Sequence, residues 1–144
     1  LYGVSAQFTA DFNSHFSFHS SINYTYGRIN TDTTDYPLDH IPPVFGKVSL
    51  QYQQKKLKAE CFVLFNGWKR EADYNKIGED NFATATSKGM PAWYTLNVRT
   101  TYTIHRMVSL QMALENILDT NYRVFASGLQ SPGRNFSATL RAHF

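Results

Sequence analysis

The chain is poor in the features that usually announce a function. It has one cysteine, Cys61, in 144 residues, which excludes a disulfide framework and a thiolate metal cluster. It has no apolar run of about 18 residues, so no helix is expected to cross a membrane. Its 14 Lys+Arg against 11 Asp+Glu leave a net charge of +3, and no basic cluster is long enough to mark a nucleic-acid footprint. Gly-rich phosphate loops, Gly-x-Ser-x-Gly and His-Glu-x-x-His are missing, so an enzyme is not expected. The five histidines (His15, His19, His40, His105 and His143) are scattered without the spacing of a metal site. No metal or other cofactor is expected. The chain opens in patterned sequence, with neither an initiator Met nor a signal peptide, as expected of a piece of a longer protein.

Aromatic residues are plentiful, 15% of the chain, yet mean hydropathy is only −0.38. High aromatic content at low average hydropathy points to alternation, and period two appears in seven segments: 2–12, 16–26, 44–52, 57–65, 94–104, 108–114 and 136–144. In one phase stand residues such as Tyr2, Phe8, Phe18, Val48, Leu50, Val63, Leu96, Leu110 and Leu140, and that phase is apolar throughout except at Ser20, Gly46 and Thr100. The intervening phase is polar apart from Phe45, Phe62, Leu64 and Ala113. A helical stripe would need apolar residues in both phases, so the chain is all-β with about seven half-apolar strands.

The connections alternate short and long: 13–15, 53–56 and 105–107 against 27–43, 66–93 and 115–135. An antiparallel meander places all the short turns at one end of the sheet and all the long loops at the other. Sorted loops, strands of about ten residues and one almost wholly apolar face are the pattern of a large transmembrane β-barrel. Backbone groups in lipid have no water to bond, so a spanning sheet must close on itself. Aromatic girdles fit this: Phe12, Phe16, Tyr52, Tyr102 and Phe144 at the turn end, Tyr2, Tyr24, Tyr26 and Tyr94 at the loop end. Seven is odd while bacterial single-chain barrels use even numbers. Residues 1–144 are therefore expected to be the carboxy-terminal fragment of a larger barrel, with its earlier strands absent.

Specific motifs narrow this further. Glu115-Asn116-Ile117-Leu118-Asp119-Thr120-Asn121-Tyr122 is followed by Gly128, by Pro132-Gly133-Arg134-Asn135-Phe136, and by a strand ending in Phe144. This arrangement resembles the carboxy-terminal signature of TonB-dependent outer-membrane receptors. Pro37-Leu38-Asp39-His40-Ile41-Pro42-Pro43 and Met90-Pro91-Ala92-Trp93-Tyr94 resemble loop-to-strand approaches in the same family. The resemblance implies a 22-stranded barrel with an amino-terminal plug and a TonB box, neither of which is found in these residues. It also implies an outer-membrane location in a Gram-negative bacterium and TonB-coupled uptake of a scarce nutrient, most often a ferric siderophore, haem or cobalamin. Outer-membrane lipid and the TonB complex, reached through the plug, are the implied partners. The barrel-assembly machinery is a third, since the last strand, with Phe136, Leu140 and Phe144, resembles its recognition signal.

The long loops are where specificity is expected. Aromatic and cationic side chains there, His40, Trp68, Arg70, Tyr74, Arg123, Phe125 and Arg134, are the candidate contacts for an anionic metal chelate or haem. In the polar phase Lys47, Lys58, Glu60, Arg99 and Arg141 are expected to line the lumen. Two alternatives stay open at the level of sequence: a passive, porin-like outer-membrane barrel, and a soluble lipocalin-like barrel whose apolar phase would face a closed interior.

Overall fold

The structure is a computed structural model that describes residues 1–78 and 82–143. Seven long strands form one antiparallel sheet: β1 (Tyr2–Asp11), β2 (Phe16–Tyr26), β5 (Phe45–Gln54), β6 (Leu57–Asn66), β9 (Trp93–His105), β10 (Val108–Glu115) and β11 (Asn135–Ala142). They lie in chain order, β1-β2-β5-β6-β9-β10-β11, so the sheet is a meander whose outer strands each pair on one side only. No helix among the described residues is long and apolar enough to cross a membrane.

The expected strands are present, with small differences at their ends. The β5–β6 ladder runs to the pair Gln54 and Leu57, so the turn contracts to Lys55-Lys56 with Lys55 at φ 45°. Strand β9 extends to His105, and its pairing with β10 shifts register between Val108 and Ser109, a bulge beside the tight turn. Short turns gather at one end and long loops at the other, as the alternation requires.

The two faces are inverted relative to a soluble protein. At mid-sheet Leu50 is 43% exposed while its neighbour Ser49 is 2% exposed, and Tyr94 at 56% adjoins Thr95 at 2%. Phe18 faces Leu50, and Leu110 faces Leu140, across neighbouring strands of the open apolar surface. The shallow hollows of the sheet lie against the polar phase, lined by residues such as Gln7, His19, Lys47, Ser49 and Gln51. A lipocalin-like fold needs the apolar phase sheltered, and here the polar phase is the sheltered one. Among the described residues the buried apolar side chains are Phe62, Tyr74 and Met90, one on the inner wall and two in the loops.

Aromatic pairs brace the apolar surface at both ends. Tyr2 packs on Tyr26 at 5.2 Å at the loop end, and Phe16 packs on Tyr52 at 4.9 Å at the turn end. Gly46 interrupts the apolar phase for a steric reason, since a Cβ there would stand 2.1 Å from the Ser21 carbonyl and 2.6 Å from the Phe65 ring.

Candidate functional site

The long loops carry structure of their own, which their lack of periodicity concealed. In the first, β3 (Arg28–Asn30) pairs with β4 (Asp35–Pro37). Arg28 Nε donates to Asp35 Oδ1 at 2.8 Å, and that hydrogen bond, partly offset by desolvation, raises the guanidinium pKa above its ordinary value. In the second, β7 (Lys69–Arg70) pairs with β8 (Gly89–Met90), and one-turn helices lie at Glu71–Asp73 and Phe82–Thr84. Gly89 sits at φ 91° with the Lys69 carbonyl 2.1 Å from where a Cβ would be, so no other residue fits that turn. Trp68 Nε1 donates to the Lys88 carbonyl at 3.0 Å and closes the same hairpin.

Lys69 links all three loops. Its ammonium donates to the Ile41 carbonyl of the first loop at 2.5 Å. It lies 4.7 Å from the Phe125 ring centroid of the third loop and 5.4 Å from that of Tyr74 in its own. Tyr74 also packs on Phe82 at 5.3 Å and on Phe125 at 6.1 Å. Aromatic faces and a carbonyl are among the partners of this 3% exposed lysine and help make burial of its cation tolerable. Arg123 Nη1 donates to the Thr84 carbonyl, and Trp93 packs on Tyr122 at 4.2 Å, joining the second and third loops again.

The root of the third loop is fixed by an asparagine pair. Asn97, 4% exposed on the inner face of β9, donates from Nδ2 to the Phe62 and Thr95 carbonyls at 3.3 and 3.1 Å. Its Oδ1 accepts the Asn116 backbone N–H at 2.9 Å. Asn116, at φ 48°, donates from Nδ2 to the Thr120 carbonyl and accepts the Thr120 N–H through Oδ1, both at 2.9 Å. Asp119 Oδ1 then accepts the Arg134 N–H at 2.8 Å, and Arg134 Nε donates to the Ile117 carbonyl at 2.9 Å. The two halves of the 115–136 motif are thus stitched together, one strap leaving the sheet and one returning.

Below the loops the inner wall carries opposed charges. Lys47 Nζ lies 2.6 Å from Glu60 Oε1, and Arg99 Nη2 lies 3.5 Å from Glu115 Oε1. Lys47 and Arg99 also flank the buried Phe62 ring at 4.5 and 5.6 Å. Lys58, Glu60 and Arg99 line one hollow of this face, and Arg141 lies exposed on the polar phase of β11.

The seven loop candidates do not converge on one cavity. Trp68 lines a hollow with Tyr24, Tyr26, Leu38 and Pro42, while Arg123 lines a second with Met90, Trp93 and Tyr122. His40 and Arg70 are exposed, and His40 Nδ1 lies 3.3 Å from Asp39 Oδ2. Tyr74 and Phe125 serve the Lys69 cage, and Arg134 serves the strap. Phe136 and Leu140 stand on the apolar surface, 64% and 67% exposed, whereas Phe144 lies outside the described residues. Asn97 was not singled out in the sequence, while Asn116 stood only within the 115–122 motif and Lys69 was not among the candidate contacts. Among the described residues no group of three His, Cys, Asp or Glu side chains is placed to hold a metal ion. The mouth offers exposed cations, indole and phenol rings, and backbone carbonyls, which suit binding by charge and stacking.

Solved structures share this fold. The copper transporter OprC superposes with a TM-score of 0.84 at 19% identity, over 99% of this chain and 22% of that one. A mutant of the ferric enterobactin receptor PfeA from Pseudomonas aeruginosa gives 0.72 at 18% identity, over 99% and 22%. The siderophore receptor PiuA from Acinetobacter baumannii gives 0.57 at 14% identity, over 96% and 20%. The chain spans about one fifth of the length of these proteins. No curated protein matches it. The family described as TonB dependent receptor-like, beta-barrel, matches residues 1–117, and with the meander, the sorted loops and the bare apolar face it identifies this chain as a member of the TonB-dependent receptor β-barrel family.

Proposed function

We propose that residues 1–144 are the carboxy-terminal strands of an outer-membrane receptor in a Gram-negative bacterium that takes up a scarce metal or metal chelate by coupling to TonB. The observation that carries this reading is the inverted sheet, apolar where it is exposed and polar where it is sheltered, which suits lipid on one side and a wet lumen on the other. The chain's share of the work is wall, pore lining and part of the external mouth. Its plug and TonB contact would lie in the rest of the receptor. The similarity to a copper transporter and to ferric-siderophore receptors supports a metal-centred cargo, with haem as a further candidate.

Within the mouth, the exposed His40, Trp68 and Arg70 are best placed to meet an anionic chelate directly. Arg123, Phe125, Tyr74 and Arg134 shape the surface those three stand on. Phe136, Leu140 and Phe144 would present the last strand to the barrel-assembly machinery through edge pairing.

The test is uptake by a strain deleted for the receptor gene and complemented with it, in backgrounds with and without TonB. Labelled copper, ferric siderophores and haem are supplied in turn under metal limitation. One of these cargoes should accumulate only when both receptor and TonB are present. Accumulation that persists without TonB would favour the passive, porin-like barrel and refute energy coupling.

A further inference from the structure

The net charge of +3 is concentrated at one end of the molecule. The loops 27–44, 67–92 and 116–134 hold seven cations and eight acids, which nearly cancel. On the upper and middle wall Lys47 and Arg99 pair with Glu60 and Glu115. The excess therefore stands at the short-turn rim, where Lys55, Lys56, Lys58, Arg106 and Arg141 face a single acid, Asp11.

Three of those cations, Lys55, Lys56 and Arg106, are exposed turn residues on neighbouring hairpins. Strands β6 and β9 pair from Leu57 and Tyr102, and Lys56 Nζ donates to the Ile104 carbonyl at 3.3 Å, so the two turns stand side by side. Directly above them the apolar surface shows Leu57, Tyr102 and Ile104, and Met107 completes the second turn, all exposed.

We infer that this rim is a binding surface for anionic phospholipid headgroups in the leaflet that surrounds the short turns. The charge is complementary to phosphodiesters, and long Lys and Arg stems can run over an apolar girdle while their heads reach the phosphates. The adjoining girdle favours lipid over a soluble protein partner, because the same patch offers acyl contact and headgroup contact in register. The inference rests on the reading that the apolar face meets lipid.

The test is native mass spectrometry of the whole receptor carrying this chain, released from micelles doped with phosphatidylglycerol or phosphatidylcholine of matched acyl chains. Each cation near an anionic surface strengthens attachment by roughly fivefold, so phosphatidylglycerol should be retained at least roughly tenfold over phosphatidylcholine. The preference should vanish in the triple variant Lys55→Gln/Lys56→Gln/Arg106→Gln and persist in the loop-side control Lys76→Gln/Lys88→Gln. Equal retention of both lipids, or a preference unmoved by the triple variant, overturns the inference. A triple variant that keeps its lipid preference but fails to reach the outer membrane overturns it in favour of a protein partner at the rim. Failure of the membrane reading looks different: the receptor then inserts into vesicles of neither composition.

Discussion

Replacing Asn97 by Ala removes a side-chain acceptor that ties the root of the third loop to the wall, beside the backbone bond from the Ile117 N–H to the Leu96 carbonyl. Asn97 is 4% exposed, and its Oδ1 holds the Asn116 N–H at 2.9 Å. In the variant that donor is left buried without a partner, which costs about 1–3 kcal/mol. The Phe62 and Thr95 carbonyls lose only supplementary contacts, because both residues remain within paired strands. A loss of about 2 kcal/mol corresponds to roughly thirtyfold more frequent opening of the strap. The effect should be local, since the β6–β9 register does not depend on Asn97. Hydrogen exchange of the receptor in micelles, read at Asn116 and Thr120 and in peptides of β6 and β9, measures it. Exchange should quicken by roughly thirtyfold at the two strap amides and stay unchanged in the strands. Unchanged exchange at Asn116 would show that the pair does not carry the loop. Equal quickening across β6 and β9 would show that Asn97 holds the sheet rather than the strap.

Three further perturbations separate packing, strain and environment. Asp119 sits at φ 54° and caps the Arg134 N–H, so Asp119→Ala should cost about 2 kcal/mol and Asp119→Gly about 1, Gly losing the cap without the left-handed penalty; equal losses by thermal unfolding would refute the assignment of strain. Gly46→Ala drives a Cβ against the Ser21 carbonyl, 2.1 Å away, and should destabilise by about 1–3 kcal/mol through loss of β2–β5 pairing; an unshifted unfolding midpoint would contradict the close approach. Leu50→Arg, on the exposed apolar phase at mid-strand, should cost about 2–4 kcal/mol in lipid while Gln51→Arg, on the polar phase, is tolerated within about 0.5. Comparing folded yields of these two in vesicles tests the orientation of the sheet, and the reverse order would invert it.

The strands were legible because unlike surroundings on the two faces impose period two, and the seven long strands follow it with few exceptions. Even the exceptions are informative, since Gly46 breaks the phase where the Phe65 ring crosses it. The small hairpins β3–β4 and β7–β8 left no such trace, because two or three residues per strand do not establish a period. The Lys69 cage was equally hidden. Its contact to Ile41 joins residues 28 apart and the Arg123 contact to Thr84 joins residues 39 apart, and composition says nothing about which loop residue meets which. The asparagine strap was half visible. Its residues fall in a motif that carried the family resemblance, but Asn97 lies in the polar phase, where an Asn that bonds a backbone looks the same as one that faces water.

Those two kinds of residue divide the labour of the molecule. On the proposed reading the wall faces lipid and gains nothing from hydrophobic association with other apolar atoms, since acyl chains serve as well, so its strands need only alternate and keep their ladder intact. Specific packing is left to the inner face and the mouth, where water competes and each buried polar atom must find a partner. That is where Phe62, Tyr74, Met90, Asn97, Asn116 and Lys69 are buried. Rigidity at the mouth therefore comes from polar and aromatic contacts between loops rather than from an apolar core. The strap and the cage hold the frame on which the exposed His40, Trp68 and Arg70 stand.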